Sequence, residues 1–239
     1  MNQFVQKLRA YAELSTDEVL ALEKATARSR QYGSRHDLIR EGDKPGPVFV
    51  MLEGWAYRYK ILPSGSRQIM AFLMPGDCCD LHIGMLAEMD HSIQTATPSR
   101  VATIGRNDMD QMMEAHQGIA RAMYVAQLSD EGTLRAWIVS MGRRNSIERV
   151  AHLACELYLR AHRNGLVVAA TFELPLSQIV LADALGLTPV HLNRVLKELR
   201  ITGALTVQRG SATILDPIKL VRLAGFDENY LHRRMTKPD

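Results

Sequence analysis

The chain has 239 residues, 46% of them hydrophobic and 23% charged, with a formal net charge of +3. That length accommodates one large or two small domains with a real core, and the composition excludes disordered, collagen-like and low-complexity classes. The charge is uneven: residues 1–141 carry 15 Lys+Arg against 17 Asp+Glu, while residues 142–239 carry 14 against 9, so an excess of +5 sits in the last two fifths.

No apolar run approaches the ~18 residues of a membrane span, and Met1 to Ala12 lacks the apolar centre of a secretory signal. Three cysteines, Cys78, Cys79 and Cys155, are too few for a disulfide framework and fit a reducing cytoplasm.

Ser15, three residues before Glu18, has capping-box spacing and predicts a short opening helix. From Tyr32 the pattern becomes short apolar runs broken by turns: Glu41-Gly42-Asp43, Glu53-Gly54, Pro63-Ser64-Gly65 and Pro75-Gly76-Asp77. Strands so short and so regularly spaced predict a β-sandwich or small barrel. Asn107 is placed to cap a helix from Asp108, and Gly118 to break it.

From Ile119 to Met141 no proline intervenes. Ile119, Met123, Ala126, Leu134, Trp137, Ile138 and Met141 recur at helical spacing, the pattern of a core helix or a dimer seam. Seam is the reading adopted, although Asp130 and Thr133 interrupt the heptad. Ser146 then caps a second amphipathic helix that Asn164-Gly165 stops.

The segment 174–205 carries the function. Ser177 caps one short helix and Gly186 ends it; Thr188 caps a second, with Pro189 at its favoured first position. The second helix buries Leu192, Val195, Leu196 and Leu199 and exposes Val190, His191, Asn193, Arg194 and Lys197. This is a helix-turn-helix, whose second helix enters a major groove. The hairpin that follows, with Arg209-Gly210-Ser211 at its tip, is a wing. A structural hairpin in an enzyme core would leave these polar and basic side chains idle. Arg194 suits guanine, Asn193 adenine, and Val190 a thymine methyl, while His191 suits a base or a phosphate. Ser177, Gln178, Lys197 and Arg209 suit phosphates.

The order of barrel, long helix and winged helix-turn-helix resembles the CRP/FNR family of bacterial transcription regulators, from Tyr32 to about Pro217. The resemblance implies an α+β fold: an N-terminal double-stranded β-helix (jelly-roll) barrel over 1–117, a long dimerisation helix over 118–142, and a winged helix-turn-helix domain over 143–239. It further implies a cytoplasmic homodimer on a near-palindromic double-stranded DNA site, activation as the commoner role, and RNA polymerase as partner if so; no membrane is involved.

Family members that bind cyclic AMP use a Glu for the ribose and an Arg-Ser pair for the phosphate. Aligning Gly76-Asp77 places Leu81 at the Glu position and His91 at the Arg position, and retains only Ser92. Asp80, Leu81, His82, His91 and Ser92 therefore outline a degenerate effector pocket, and no cofactor is expected there. The alternatives are a cyclic-nucleotide response, or a redox, metal or haem sensor built from Cys78, Cys79, His82 and His91. The cysteine run of the family's iron–sulfur branch is missing. No H-x-H, G-x-S-x-G, H-E-x-x-H or P-loop pattern occurs, so no enzyme is read.

Overall fold

Two short helices open the chain, α1 (Gln3–Arg9) and α2 (Thr16–Ala25). The predicted capping box is present: Ser15 Oγ accepts from the Glu18 N–H, and the Glu18 carboxylate accepts from the Ser15 N–H. The computed structural model describes residues 1–79, 81 and 86–232. It divides into two units, Met1–Ala126 and the residues from Gln127 onward.

In the first unit, eight strands follow: β1 (Ser29–Tyr32), β2 (Asp37–Ile39), β3 (Val48–Glu53), β4 (Ala56–Ile61), β5 (Arg67–Leu73), β6 (Cys78–Cys79), β7 (Ser92–Thr95) and β8 (Ser99–Ile104). They pair antiparallel in two sheets, ordered β1-β8-β3-β6 and β2-β7-β4-β5, which form the predicted barrel. Strand alternation sorts β3 between two cores. Val48, Val50 and Leu52 pack with Phe4, Leu8, Leu22, Met109 and Ile119 of the helices, whereas Phe49 and Met51 pack with Ala56, Leu73 and Ile93 of the second sheet.

The Pro75-Gly76-Asp77 turn is a structural latch. Asp77 Oδ2 accepts from the Met74 N–H at 2.8 Å, and Oδ1 accepts from Lys7 Nζ at 2.7 Å, tying α1 to the barrel. Both charges are nearly buried, so each depends on the geometry of the other.

α3 (Arg106–Ala115) and α4 (Gln117–Arg143) come next. Two expectations are corrected here. Gly105, not Asn107, precedes α3, with no side-chain cap. The helix break falls at His116, and Gly118 lies inside α4, where its N–H donates to Glu18 Oε1 at 2.7 Å. A first-turn amide of a helix has no intrahelical acceptor, so the carboxylate of α2 supplies one. Ser15 and Gly118 amide bonds, set against burial, hold the Glu18 carboxyl below its ordinary range.

The second unit contains the rest of α4 and α5 (Ser146–Arg163), whose cap is Asn145 with Glu148 in a capping box rather than Ser146. β9 (Val167–Val168) and β10 (Thr171–Glu173) precede α6 (Gln178–Leu185) and α7 (Pro189–Ile201). β11 (Leu205–Gln208) and β12 (Ser211–Ile214) follow, then α8 (Pro217–Ala224) and a 3-10 turn, Glu228–Leu231. The wing is thus half of a four-stranded sheet ordered β11-β12-β10-β9. No single described helix is long and apolar enough to cross a membrane.

The predicted seam of α4 separates into different surroundings. Ile119, Met123 and Ala126 are buried in the first unit's own core, so they are removed from an exposed seam. Trp137 is buried in the second unit, where its Nε1 donates to Glu156 Oε2 at 2.9 Å. Met141 lies over Gly186: a Cβ on that glycine would come 2.5 Å from Met141 Cε. Leu134 and Ile138 are exposed as expected, Ile138 by 72%. Tyr124, Leu128 and Val139, outside the predicted set, are exposed with them. Tyr124, Leu128 and Ile138 follow a 4-and-3 spacing that passes through Glu131 and Arg135, so the outward stripe is apolar at its ends and charged at its middle.

Candidate nucleic-acid interface

The geometry of the basic half is set by local signals. Ser177 Oγ accepts from the Val180 N–H and Thr188 Oγ1 accepts from the His191 N–H, each at 3.2 Å, satisfying first-turn donors of α6 and α7. Each hydroxyl keeps its own hydrogen to donate outward. Gly186 takes the left-handed conformation (φ +61°) that ends α6, and Pro189 opens α7. The two helices meet at 94°, within the range of a helix-turn-helix.

α7 buries Leu192, Val195 and Leu199; Leu196 is half-buried. Val190, Arg194 and Lys197 are exposed at i, i+4 and i+7, so they share one outward face. Pro189 and Asn193 are exposed as well, and His191 is half-buried. Asn193 Nδ2 donates to Gln178 Oε1 at 2.6 Å, linking the two helices at their surface.

The wing is a two-residue hairpin in which both Arg209 (φ +50°) and Gly210 (φ +77°) are left-handed, the turn whose twist matches the flanking strands. Its tip is pinned because the Leu174 N–H donates to the Gly210 carbonyl at 2.8 Å. Arg209 is exposed there.

Sequence reasoning missed the groups that hold this surface. Arg149 of α5 donates to the Leu185 carbonyl at 2.5 Å and to the Arg144 carbonyl at 3.2 Å, capping the end of α6. Glu156, fully buried in the same helix, accepts from Trp137 Nε1, from the Tyr230 hydroxyl at 3.1 Å and from Arg160 at 3.3 Å. Burial pushes its carboxyl up and outweighs those donors. An arginine or glutamate on an amphipathic helix carries no sequence signal of such partners.

In the barrel unit, Asp80 and His82 lie outside the described residues. Leu81 packs against the helical core, far from the role of a ribose ligand. His91 Nδ1 lies 2.7 Å from Asp90 Oδ1, and Ser92 Oγ accepts from the Glu41 N–H at 2.9 Å. Cys78 and Cys79 alternate along β6. Cys78 packs on the helical core and Cys79 on the core between the sheets, so the two side chains face opposite sides of the strand. Among the described residues no group of three His, Cys, Asp or Glu could hold a metal. The face of the second sheet turned away from the apolar core carries the unit's polar network. Asp37 Oδ1 accepts from Tyr59 at 3.0 Å and from Gln94 at 2.6 Å, and Arg67 donates to Tyr57 at 3.0 Å. Burial would raise the Asp37 carboxyl, but bonds from Gln94, Arg40 and Tyr59 hold it below its ordinary range.

Comparison with known proteins matches residues 148–223 to the Crp-like helix-turn-helix domain and residues 29–116 to the cyclic nucleotide-binding domain. The chain belongs to the CRP/FNR family of DNA-binding transcription regulators. It is 27% identical over 201 residues to the nitrogen fixation regulation protein FixK of Bradyrhizobium diazoefficiens, covering 82% of each chain. It is 24% identical to the transcriptional activator protein FnrL of Cereibacter sphaeroides, over 92% of this chain and 90% of that one. The structure of FixK2 from Bradyrhizobium japonicum superposes with a TM-score of 0.72 at 24% identity, covering 82% of this chain and 96% of the other. The α+β architecture of barrel, long helix and helix-turn-helix is that of these CRP/FNR structures.

Proposed function

We propose that this CRP/FNR chain is a cytoplasmic transcription activator that binds near-palindromic duplex DNA as a homodimer, engages RNA polymerase, and does not respond to cyclic AMP. One observation carries the DNA reading: the exposed Val190–Arg194–Lys197 face of α7, held at 94° to α6. In this reading Arg194 pairs bidentately with a guanine, and Val190 meets a thymine methyl. Lys197, Arg209 and the Ser177 hydroxyl fix the register on phosphates. Relatives named as activators support the direction of regulation.

The homodimer reading rests on the apolar side chains that α4 exposes in the second unit, Leu128, Leu134, Ile138 and Val139. Two stripes packed about a two-fold axis would bury them and place two α7 helices in successive major grooves.

The described barrel residues do not suit a cyclic nucleotide. Leu81 offers no ribose acceptor, and His91, beside Asp90, supplies no cationic fork for an anionic ester. The core between the sheets is built from apolar side chains.

The experiment is selection of a binding site from random duplex DNA, followed by titration with Arg194→Ala. That variant should lose roughly 1–3 kcal/mol of specific binding and relax preference at one base pair per half-site. Wild-type affinity should fall steeply with salt. An unchanged profile for Arg194→Ala would remove α7 as the reading helix, and a Tm shift of several degrees with cyclic AMP would restore a nucleotide site.

A further inference from the structure

Gln178 is the first residue of α6 and Asn193 the fifth of α7, and a single 2.6 Å hydrogen bond joins their carboxamides at the exposed edge of the two helices. We propose that Gln178 is a positioning residue that fixes the Asn193 carboxamide to read one adenine in each half-site. This rests on the DNA-binding reading above and names its specificity.

The two ends of a carboxamide are chemically opposite: the oxygen only accepts and the nitrogen only donates, twice. Adenine presents N7 as an acceptor and N6–H as a donor in the major groove. Asparagine matches it when Oδ1 accepts from N6 and Nδ2 donates to N7. An asparagine that rotates freely about its last bond presents either order, and its reversed form can donate to guanine O6 instead. The bond to Gln178 removes that freedom. Gln178 Oε1 can hold Nδ2 but would repel Oδ1, and a backbone phosphate on Gln178 Nε2 keeps Gln178 itself from turning over, so only one orientation of Asn193 keeps both bonds.

The donor count also closes. Asn193 Nδ2 spends one hydrogen on Gln178 and retains one for N7, while Oδ1 is not used by that bond. On Gln178 the acceptor end is committed to Asn193, and the Nε2 end stays available to a backbone phosphate at the start of α6. One side chain therefore couples the register of the first helix on the backbone to the orientation of a base-reading group on the second. The pairing of a phosphate role for Gln178 with an adenine role for Asn193 becomes a single device.

The test uses the full chain and its selected site. Dissociation constants are measured on that site and on its three single-base replacements at the pair where Asn193→Ala loses preference. Gln178→Ala should lower the adenine preference there by about tenfold and leave preferences at other positions unchanged. Gln178→Glu keeps an acceptor for Nδ2 but loses the phosphate donor, so it should retain the adenine preference while binding every sequence more weakly. Gln178→Ala combined with Asn193→Ala should lose no more preference than Asn193→Ala alone. If Gln178→Ala keeps the full adenine preference, or if both Gln178 variants weaken all sequences equally, the positioning role is overturned and the DNA-binding reading survives. If the wild-type chain selects no sequence at all, the reading beneath it falls as well.

Discussion

His152 is a buried titratable group whose protonation opposes folding of the second unit, and its cost can be worked out. It lies in α5 at 2% exposure, with the Phe226 ring centroid at 5.0 Å and the Tyr230 ring stacked nearly parallel at 5.7 Å. Burial, assisted by the positive charge of Arg144, lowers its pKa from 6.5 to about 4. The unfolded chain therefore binds more protons than the folded one between these values. Stability from the neutral ring is fully present above pH 6.5 and is lost as pH falls through 6.5 toward 4. Lowering the pH from 7 to 5 should cost roughly 2 kcal/mol through this residue alone. Glu156, one turn on, acts with the opposite sign: its raised carboxyl takes up a proton first in the folded state and stabilises it toward acid. Comparing wild type with His152→Phe, which leaves Glu156 in place, isolates the histidine. Urea titrations followed by Trp137 fluorescence at pH 7 and pH 5 should show a wild-type loss exceeding the variant's by roughly 2 kcal/mol. Equal losses in the two proteins, or a His152 ring that titrates near 6.5 by NMR, would refute the argument.

Two further outcomes follow from burial and exposure. Ile138→Glu places a charge on the outward stripe of α4, where the side chain is 72% exposed, so the fold should be retained while sedimentation shows a monomer and operator binding is lost. A variant that remains dimeric would move the interface elsewhere. Cys155 is buried and its thiol is pushed up to about 12 by desolvation, so iodoacetamide at pH 8 should label it only in urea. Labelling of the folded protein at the rate of a free thiol would contradict that environment.

The helix-turn-helix was legible because its signals are local. Ser177, Gly186, Thr188 and Pro189 each act within four residues of themselves, and all four do in the structure what their chemistry dictates. α8 carries the same kind of local signature, with Asp216 capping and Pro217 at the first position. β9 and β10, two and three residues long, are too short for any alternation to register. The Gln178–Asn193 bond, the Arg149 cap and the buried Glu156 are partnerships between elements, and no single stretch of chain contains both halves.

α4 shows most clearly where pattern reading stops. Its 27 residues turn apolar side chains in several directions: Ile119 and Met123 into the barrel unit's core, Trp137 toward Glu156, Met141 over Gly186, and Leu128 and Ile138 outward. A helix with one apolar stripe announces the face it buries, but a helix serving several partners reads as apolar at nearly every angle. Periodicity then gives the existence of the helix and withholds the assignment of its faces. Seven residues chosen by spacing thus mixed three environments, and only Leu134 and Ile138 point where a second chain could meet them. The apolar positions of a seam are distinguished from core positions by exposure in the monomer, a property of the folded chain and not of the order of its residues. The charged pair Glu131 and Arg135 has the same standing: on this helix it lies between exposed apolar turns, where cross-pairing of opposite charges would set the register of two copies.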